Sequence, residues 1–120
     1  MHYNSTADTP EVHYHDDAGI LAIRGRSLPE DAWAFYGPLI DWAKSLALKN
    51  SQRLTIEFFL EYFNSSSGRY LLELLSTLEK KGKDRVSVIW MVEPDDELMV
   101  EKGEEFSSLL EIPFRFVTSN

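Results

Sequence analysis

The sequence predicts an α/β fold, a mixed β-sheet with helices packed on one face, in the order β-β-α-β-α-β-α-β. Three observations predict it. Leu54, Ile56, Phe58, Leu60 and Tyr62 occupy alternate positions, the period of a strand with one committed face. Leu71, Leu74, Leu75 and Leu78 then recur at helical spacing. Val86, Val88, Trp90 and Val92 alternate again, so strands and helices take turns along the chain.

The elements follow in order. Residues 1–9 are polar and are expected to fray. Val12-His13-Tyr14-His15 and Ile20-Leu21-Ala22-Ile23-Arg24 read as short strands joined by Asp16-Asp17-Ala18-Gly19, a loop with hairpin chemistry. Ser27-Leu28-Pro29-Glu30-Asp31 is a helix start, with Ser27 as a cap, an early proline and acidic residues in the first turn. The helix it opens is expected to bury Tyr36, Leu39, Ile40, Ala43, Leu46 and Ala47. Gly37-Pro38 falls inside it, and proline removes a backbone hydrogen bond there, so a kink or two abutting helices are expected.

In the central strand, Thr55, Glu57, Phe59, Glu61 and Phe63 take the second, mixed face. The leucine-bearing helix after it should end near Lys81-Gly82-Lys83, basic residues plus a C-cap glycine. Pro94-Asp95-Asp96-Glu97 opens a third helix with an acidic first turn that suits the dipole. Leu98, Met99, Phe106, Leu109 and Leu110 form its apolar side, and Gly103 weakens its middle. Phe114-Arg115-Phe116-Val117, after Pro113, is the last strand.

Composition bounds the function. At 120 residues the chain is expected to be a single domain, 1–120, with room for a real core. Its 12 basic and 20 acidic residues give a net charge of −8, which argues against a nucleic-acid or anionic-membrane partner. The absence of cysteine excludes disulfide staples, thiolate catalysis and Cys-based zinc sites. Met1-His2-Tyr3-Asn4-Ser5-Thr6-Ala7-Asp8 has neither a basic nor an apolar signal region, and no apolar run is long enough to span a bilayer. A cytoplasmic location is expected.

The most informative stretch is the junction between the central strand and its helix, Tyr62-Phe63-Asn64-Ser65-Ser66-Ser67-Gly68. Its hydroxyls fall where a helix leaves its first N–H groups unpaired and where the macrodipole is positive. Capping is one use of such residues, worth roughly 1 kcal/mol. One cap needs one side chain, however, and this turn offers Asn64, Ser65, Ser66 and Ser67 together, followed by Gly68. A phosphate there would carry about −1.5 to −2 charges and gain from the helix start. Residue chemistry alone leaves capping and phosphorylation both open.

Other clusters read blandly. His13 and His15 face the same way on a strand, but two ligands need a third, so they are expected to be exposed strand histidines and no metal is expected. Glu57 and Glu61 share a strand face about 13 Å apart at strand rise, too far for a glycosidase pair. Glu93, Asp95, Asp96 and Glu97 need be no more than an acidic helix start. A serine nucleophile would need a base, and no G-x-S-x-G elbow or Gly-rich phosphate loop is present. Trp33, Trp42 and Trp90 are assigned to the core or its rim.

Four segments, taken together, resemble one family. They are Gly25-Arg26-Ser27-Leu28-Pro29-Glu30-Asp31-Ala32, Phe35-Tyr36-Gly37-Pro38-Leu39-Ile40-Asp41-Trp42, Phe58-Phe59-Leu60-Glu61-Tyr62-Phe63-Asn64-Ser65-Ser66-Ser67 and Glu93-Pro94-Asp95-Asp96-Glu97. In this order they resemble SiaC-type bacterial regulatory phosphoproteins, over nearly the whole chain. That family is similar in fold to the STAS domains of anti-sigma-factor antagonists, which agrees with the element order above. The resemblance implies switching, with no catalysis and no cofactor. A Ser/Thr protein kinase adds a phosphate after the Asn, a PP2C-type phosphatase removes it, and the unphosphorylated form binds and activates a diguanylate cyclase. Carried over residue by residue, phosphorylation falls on Ser65, with Ser66 and Ser67 as alternates and Asn64 and Gly68 supporting the turn. The family residue there is threonine, a departure that bears on kinase preference. In anti-sigma antagonists the modified serine directly precedes a glycine, which here points to Ser67. Two other functions follow from the same features: an anti-sigma-factor antagonist, or a constitutive interaction domain in which the serines only cap.

Overall fold

The computed structural model describes residues 1–49 and 51–120. Along them run strands β1 (His2–Tyr3), β2 (Glu11–His15) and β3 (Ile20–Ser27), then helix α1 (Ala32–Ser45) and strand β4 (Leu54–Phe63). Helix α2 (Ser65–Glu79), strand β5 (Val86–Val92), helix α3 (Glu97–Leu109) and strand β6 (Phe114–Thr118) follow. The strands form one six-stranded sheet in the order β1-β2-β3-β4-β5-β6. β1, β2 and β3 are antiparallel neighbours, whereas β3 to β6 run parallel. A helix bridges each parallel step, and such crossovers are right-handed because a twisted strand and a right-handed helix pack back only that way. Strand order advances in one direction, so α1, α2 and α3 share one face, the mixed α/β arrangement the sequence predicts.

The core lies between that face and the helices. Leu21 and Ile23 of β3, Ile56 and Phe58 of β4, and Val88 and Trp90 of β5 are buried with Tyr36, Leu39, Leu71, Leu75 and Phe106 from the helices. The opposite face carries half-buried Phe59, Ile89 and Met91 beside Arg24, Glu57 and Arg115.

Several local expectations are corrected. Residues 1–9 do not simply fray: His2–Tyr3 pairs with β2, and the Tyr3 ring meets Phe35 edge-on at 6.0 Å, which anchors an extra edge strand. Ser27 does not cap α1. It is the last residue of β3, paired with Phe63, and Asp31 caps instead, accepting from the Ala34 N–H at 3.1 Å. α1 runs unbroken through Pro38. The hydrogen bond that proline removes is to Ala34, and both residues are exposed, so water can satisfy the carbonyl. The helix stops at Ser45, which leaves Leu46 half-buried and Ala47 exposed.

In β4 the alternation slips. Gly25 pairs with Leu60 but Arg26 pairs with Tyr62, so Glu61 is an extra residue in the ladder. A bulge reverses every side chain beyond it. Tyr62 therefore turns outward, 43% exposed, and Phe63 enters the core. In α3 the apolar side is narrower than its periodicity implies: Met99 and Phe106 are buried, while Leu98 and Leu109 are 60% and 61% exposed. Gly103 is a contact point more than a weak spot. A Cβ there would lie 2.6 Å from Trp90 Nε1 and 2.7 Å from Phe116 Cε2.

Candidate functional site

β4 hands the chain to α2 at Asn64, whose backbone is extended (φ −84, ψ 174). Its side-chain oxygen accepts from the Ser67 N–H at 2.9 Å, and its carbonyl accepts from the Gly68 N–H at 2.9 Å. Asn64 alone thus performs the capping. The hydroxyls of Ser65 and Ser66 are left exposed at the first two helical positions.

Ser67 is different. It is fully buried, and the equally buried Ser27 hydroxyl donates to its Oγ at 2.9 Å. Ser27 Oγ also lies 2.5 Å from Tyr36 Oη. A serine hydroxyl has one proton, already given to Ser67, so Tyr36 is the donor in that bond. The relay Tyr36 to Ser27 to Ser67 ties the starts of α1 and α2 to the end of β3. Burial pushes the Tyr36 hydroxyl up to about 12, partly opposed by the neighbouring Ser27 and Ser67 hydroxyls. The Asn64 N–H donates to the Ser27 carbonyl at 3.0 Å, which fixes the turn from beneath.

The bulge at Glu61 has a consequence here, because it sets Phe63 under the turn. Gly68 packs against that ring: an added Cβ would lie 3.1 Å from Phe63 Cε2. On one side of the turn, the 51%-exposed Trp33 ring stands 5.5 Å from Tyr70. On the other side, a groove between α2 and α3 contains Ser65, Arg69, Leu72, Lys102 and Leu109.

The remaining sequence candidates do not gather here. His13 lies 3.8 Å from His15, ring centre to ring centre, and His2 stacks on it at 4.1 Å. The third histidine missing from the sequence reading is thus supplied by β1. Stacking turns ring faces, not nitrogen lone pairs, towards one another, and no metal-holding group of three or more His, Asp or Glu forms among the described residues. Desolvation and then the neighbouring His15 and His2 lower the His13 pKa. Glu57 faces Arg24 at 3.6 Å, and the bulge separates it from Glu61. Asp96 caps α3 through the Met99 N–H at 3.1 Å, and Glu93 accepts from the Ser119 hydroxyl at 3.2 Å. Trp42 packs on Tyr14 at 4.9 Å, and Trp90 lies in the core, donating to the Met99 carbonyl at 3.0 Å. The exposure of Trp33 and the buried relay carried no sequence signal, since each depends on contacts far along the chain.

A one-sided mixed sheet that presents exposed hydroxyls at a helix start offers a surface that a partner or a modifying enzyme can reach. The family model for "SiaC family regulatory phosphoprotein" matches residues 3–119, and the chain belongs to the SiaC family. It is 30% identical over 116 residues to a protein of Pseudomonas aeruginosa strain UCBPP-PA14, covering 95% of this chain and 92% of that one. Its structure matches a chain of the crystal structure of the P. aeruginosa diguanylate cyclase SiaD in complex with its activator SiaC. That match has a TM-score of 0.90 and 29% identity over 99% of both chains. It also matches SiaC of P. aeruginosa with a TM-score of 0.87 and 28% identity, over 99% of this chain and 98% of that one.

Proposed function

We propose that this chain is a phosphorylation-switched regulatory adaptor, without catalysis of its own, that binds and activates a diguanylate cyclase when unphosphorylated. One observation carries the reading. The whole fold, end to end, is similar to a chain of a structure in which SiaC is the activator bound to the cyclase SiaD. The single domain acts in the cytoplasm, and its output is cyclic di-GMP. A Ser/Thr protein kinase and a PP2C-type phosphatase set its state.

The assigned phosphorylation site is Ser65, with Ser66 as the first alternate and Ser67 as the second. Exposure supports that ranking: a kinase can reach Ser65 and Ser66 directly, whereas the Ser67 hydroxyl is buried. Asn64 and Gly68 support the turn through the cap and the close packing on Phe63. A phosphate would place about −1.5 to −2 charges on the docking surface, where it repels acidic partner groups and resists desolvation.

Phosphosite mapping by mass spectrometry on protein from its own cells, beside a phosphatase-treated control, tests the switch. The expected result is one phosphate on Ser65. Ser65→Ala should hold the protein in its cyclase-activating form and Ser65→Asp should weaken it. Equal affinity of both variants for the co-purifying cyclase would remove the switch, and co-purification of a sigma-factor regulator instead would move the target.

A further inference from the structure

We propose that the groove between α2 and α3 docks an acidic, amphipathic segment of the cyclase, and that Arg69 and Lys102 form its anion seat. A phosphate on Ser65 would occupy the same seat. The inference rests on the adaptor reading above and adds where the partner sits and what evicts it.

The groove, of about 420 Å³, is floored by Phe63 and Phe106. Leu72 and the 61%-exposed Leu109 supply apolar contact surface on its two walls. The chain as a whole carries −8, yet this groove has Arg69 and Lys102 against one carboxylate, Glu105, a local balance of +2 − 1 = +1. Neither cation is in an ion pair. The ion pairs among the described residues are His2–Glu11, Arg24–Glu57 and Lys83–Glu111. Both cations instead rest over aromatic rings, Lys102 Nζ 4.5 Å from the Phe63 centroid and Arg69 Cζ 5.8 Å from that of Tyr70. Two cations outside the ion pairs, beside exposed leucine on an otherwise acidic protein, are complementary to an amphipathic segment carrying aspartate or glutamate. The guanidinium fork suits a carboxylate or a phosphate bidentately, and the lysine adds a point charge.

Ser65 and Arg69 are four residues apart in α2 and therefore share a helix face. A phosphate on Ser65 is tethered beside the seat and carries more charge than a carboxylate. It competes for Arg69 and Lys102 without any loss of translational freedom, so a partner carboxylate is displaced.

The test uses full-length protein with phosphoserine installed at position 65, followed by 31P NMR against pH. The second phosphate ionisation should fall below its ordinary value of about 6. Arg69→Gln and Lys102→Gln should each raise it again. The helix start lowers it equally in all three proteins, so an ionisation unchanged by both substitutions overturns the seat. In a second arm, unphosphorylated Arg69→Gln and Lys102→Gln are titrated against the co-purifying cyclase, with circular dichroism to verify the fold. Each should weaken activation by about tenfold. Undiminished activation by both, alongside active wild type, overturns the groove and leaves the adaptor reading standing. Failure of wild type to activate any co-purifying cyclase overturns the adaptor reading, and the docking claim with it.

Discussion

Ser67→Ala and Ser65→Ala lie two positions apart and should differ fourfold or more in their cost to stability. Ser67 Oγ accepts from the Ser27 hydroxyl at 2.9 Å, and both residues are fully buried. Alanine at 67 leaves the Ser27 proton with no acceptor, and an unmet buried donor costs about 1–3 kcal/mol. The cap is untouched, because it runs from the Ser67 backbone N–H to the Asn64 side chain. A loss of about 2 kcal/mol is expected. Ser65 is exposed and caps nothing, so Ser65→Ala should stay within about 0.5 kcal/mol of wild type. Urea unfolding followed by tryptophan fluorescence reports both, since Trp90 is buried in the core. With a slope of about 2 kcal/mol/M, Ser67→Ala should lower the midpoint by about 1 M and Ser65→Ala by under about 0.3 M. Asn64→Ala is the control for the cap and should cost about 1 kcal/mol. The reasoning fails if Ser65→Ala costs as much as Asn64→Ala, which would make Ser65 a structural cap. It also fails if Ser67→Ala is neutral, which would remove the buried relay.

Two further outcomes follow from the packing. The Tyr36 hydroxyl ionises near 10 when unfolded and at about 12 when folded. Its neutral form therefore stabilises the fold fully below pH 10, and that contribution, about 3 kcal/mol, is lost as pH rises from 10 to 12. Urea midpoints at pH 9 and 11.5 should converge in Tyr36→Phe relative to wild type, with a residual slope from Tyr14, whose pKa is also raised, chiefly by burial. An identical alkaline loss in both proteins refutes the assignment. Gly103→Ala gains about 1 kcal/mol of helix propensity. Its Cβ would meet Trp90 at 2.6 Å, however, and Trp90 is held by its bond to the Met99 carbonyl, so overpacking of about 1–3 kcal/mol should prevail. A raised melting temperature would show that α3 shifts freely.

What the sequence revealed was whatever rests on local period. The alternating valines of β5 and the leucine stripe of α2 are buried as their spacing requires, because a seven-residue strand and a four-turn helix state their own faces. What it concealed depends on partners elsewhere. The exchange of Tyr62 for Phe63 originates at Gly25 (φ +115) on the neighbouring strand, where the pairing slips. Exposure of Leu98 and Leu109 follows from where Gly103 seats α3 against Trp90, which no helical wheel contains. A two-residue edge strand such as β1 has no period to read. At the site, the strand-to-helix junction and its hydroxyls were legible. Which hydroxyls are presented was not, since Ser67 is withdrawn by Ser27, 40 residues away.

That withdrawal shapes how a switch at this turn would work. Asn64, Ser67 and Gly68 are fixed to Ser27, Tyr36 and Phe63, so the first turn of α2 is a rigid mount for Ser65 and Ser66. A phosphate on such a mount alters surface charge and leaves the fold alone. In the groove beside it the balance would pass from +1 to about −1. Moving a partner from nearly all bound to nearly all free needs about 5.5 kcal/mol of difference between the two forms. The helix start supplies only about 0.3–1 kcal/mol. Two charge-assisted contacts forfeited by the partner come to about 3–6 kcal/mol when well formed, and less where solvent screens them. The cations of the groove therefore have to carry most of the switch, with repulsion of partner carboxylates supplying the remainder, and a substitution at Arg69 or Lys102 should blunt the response to phosphate as well as the affinity without it.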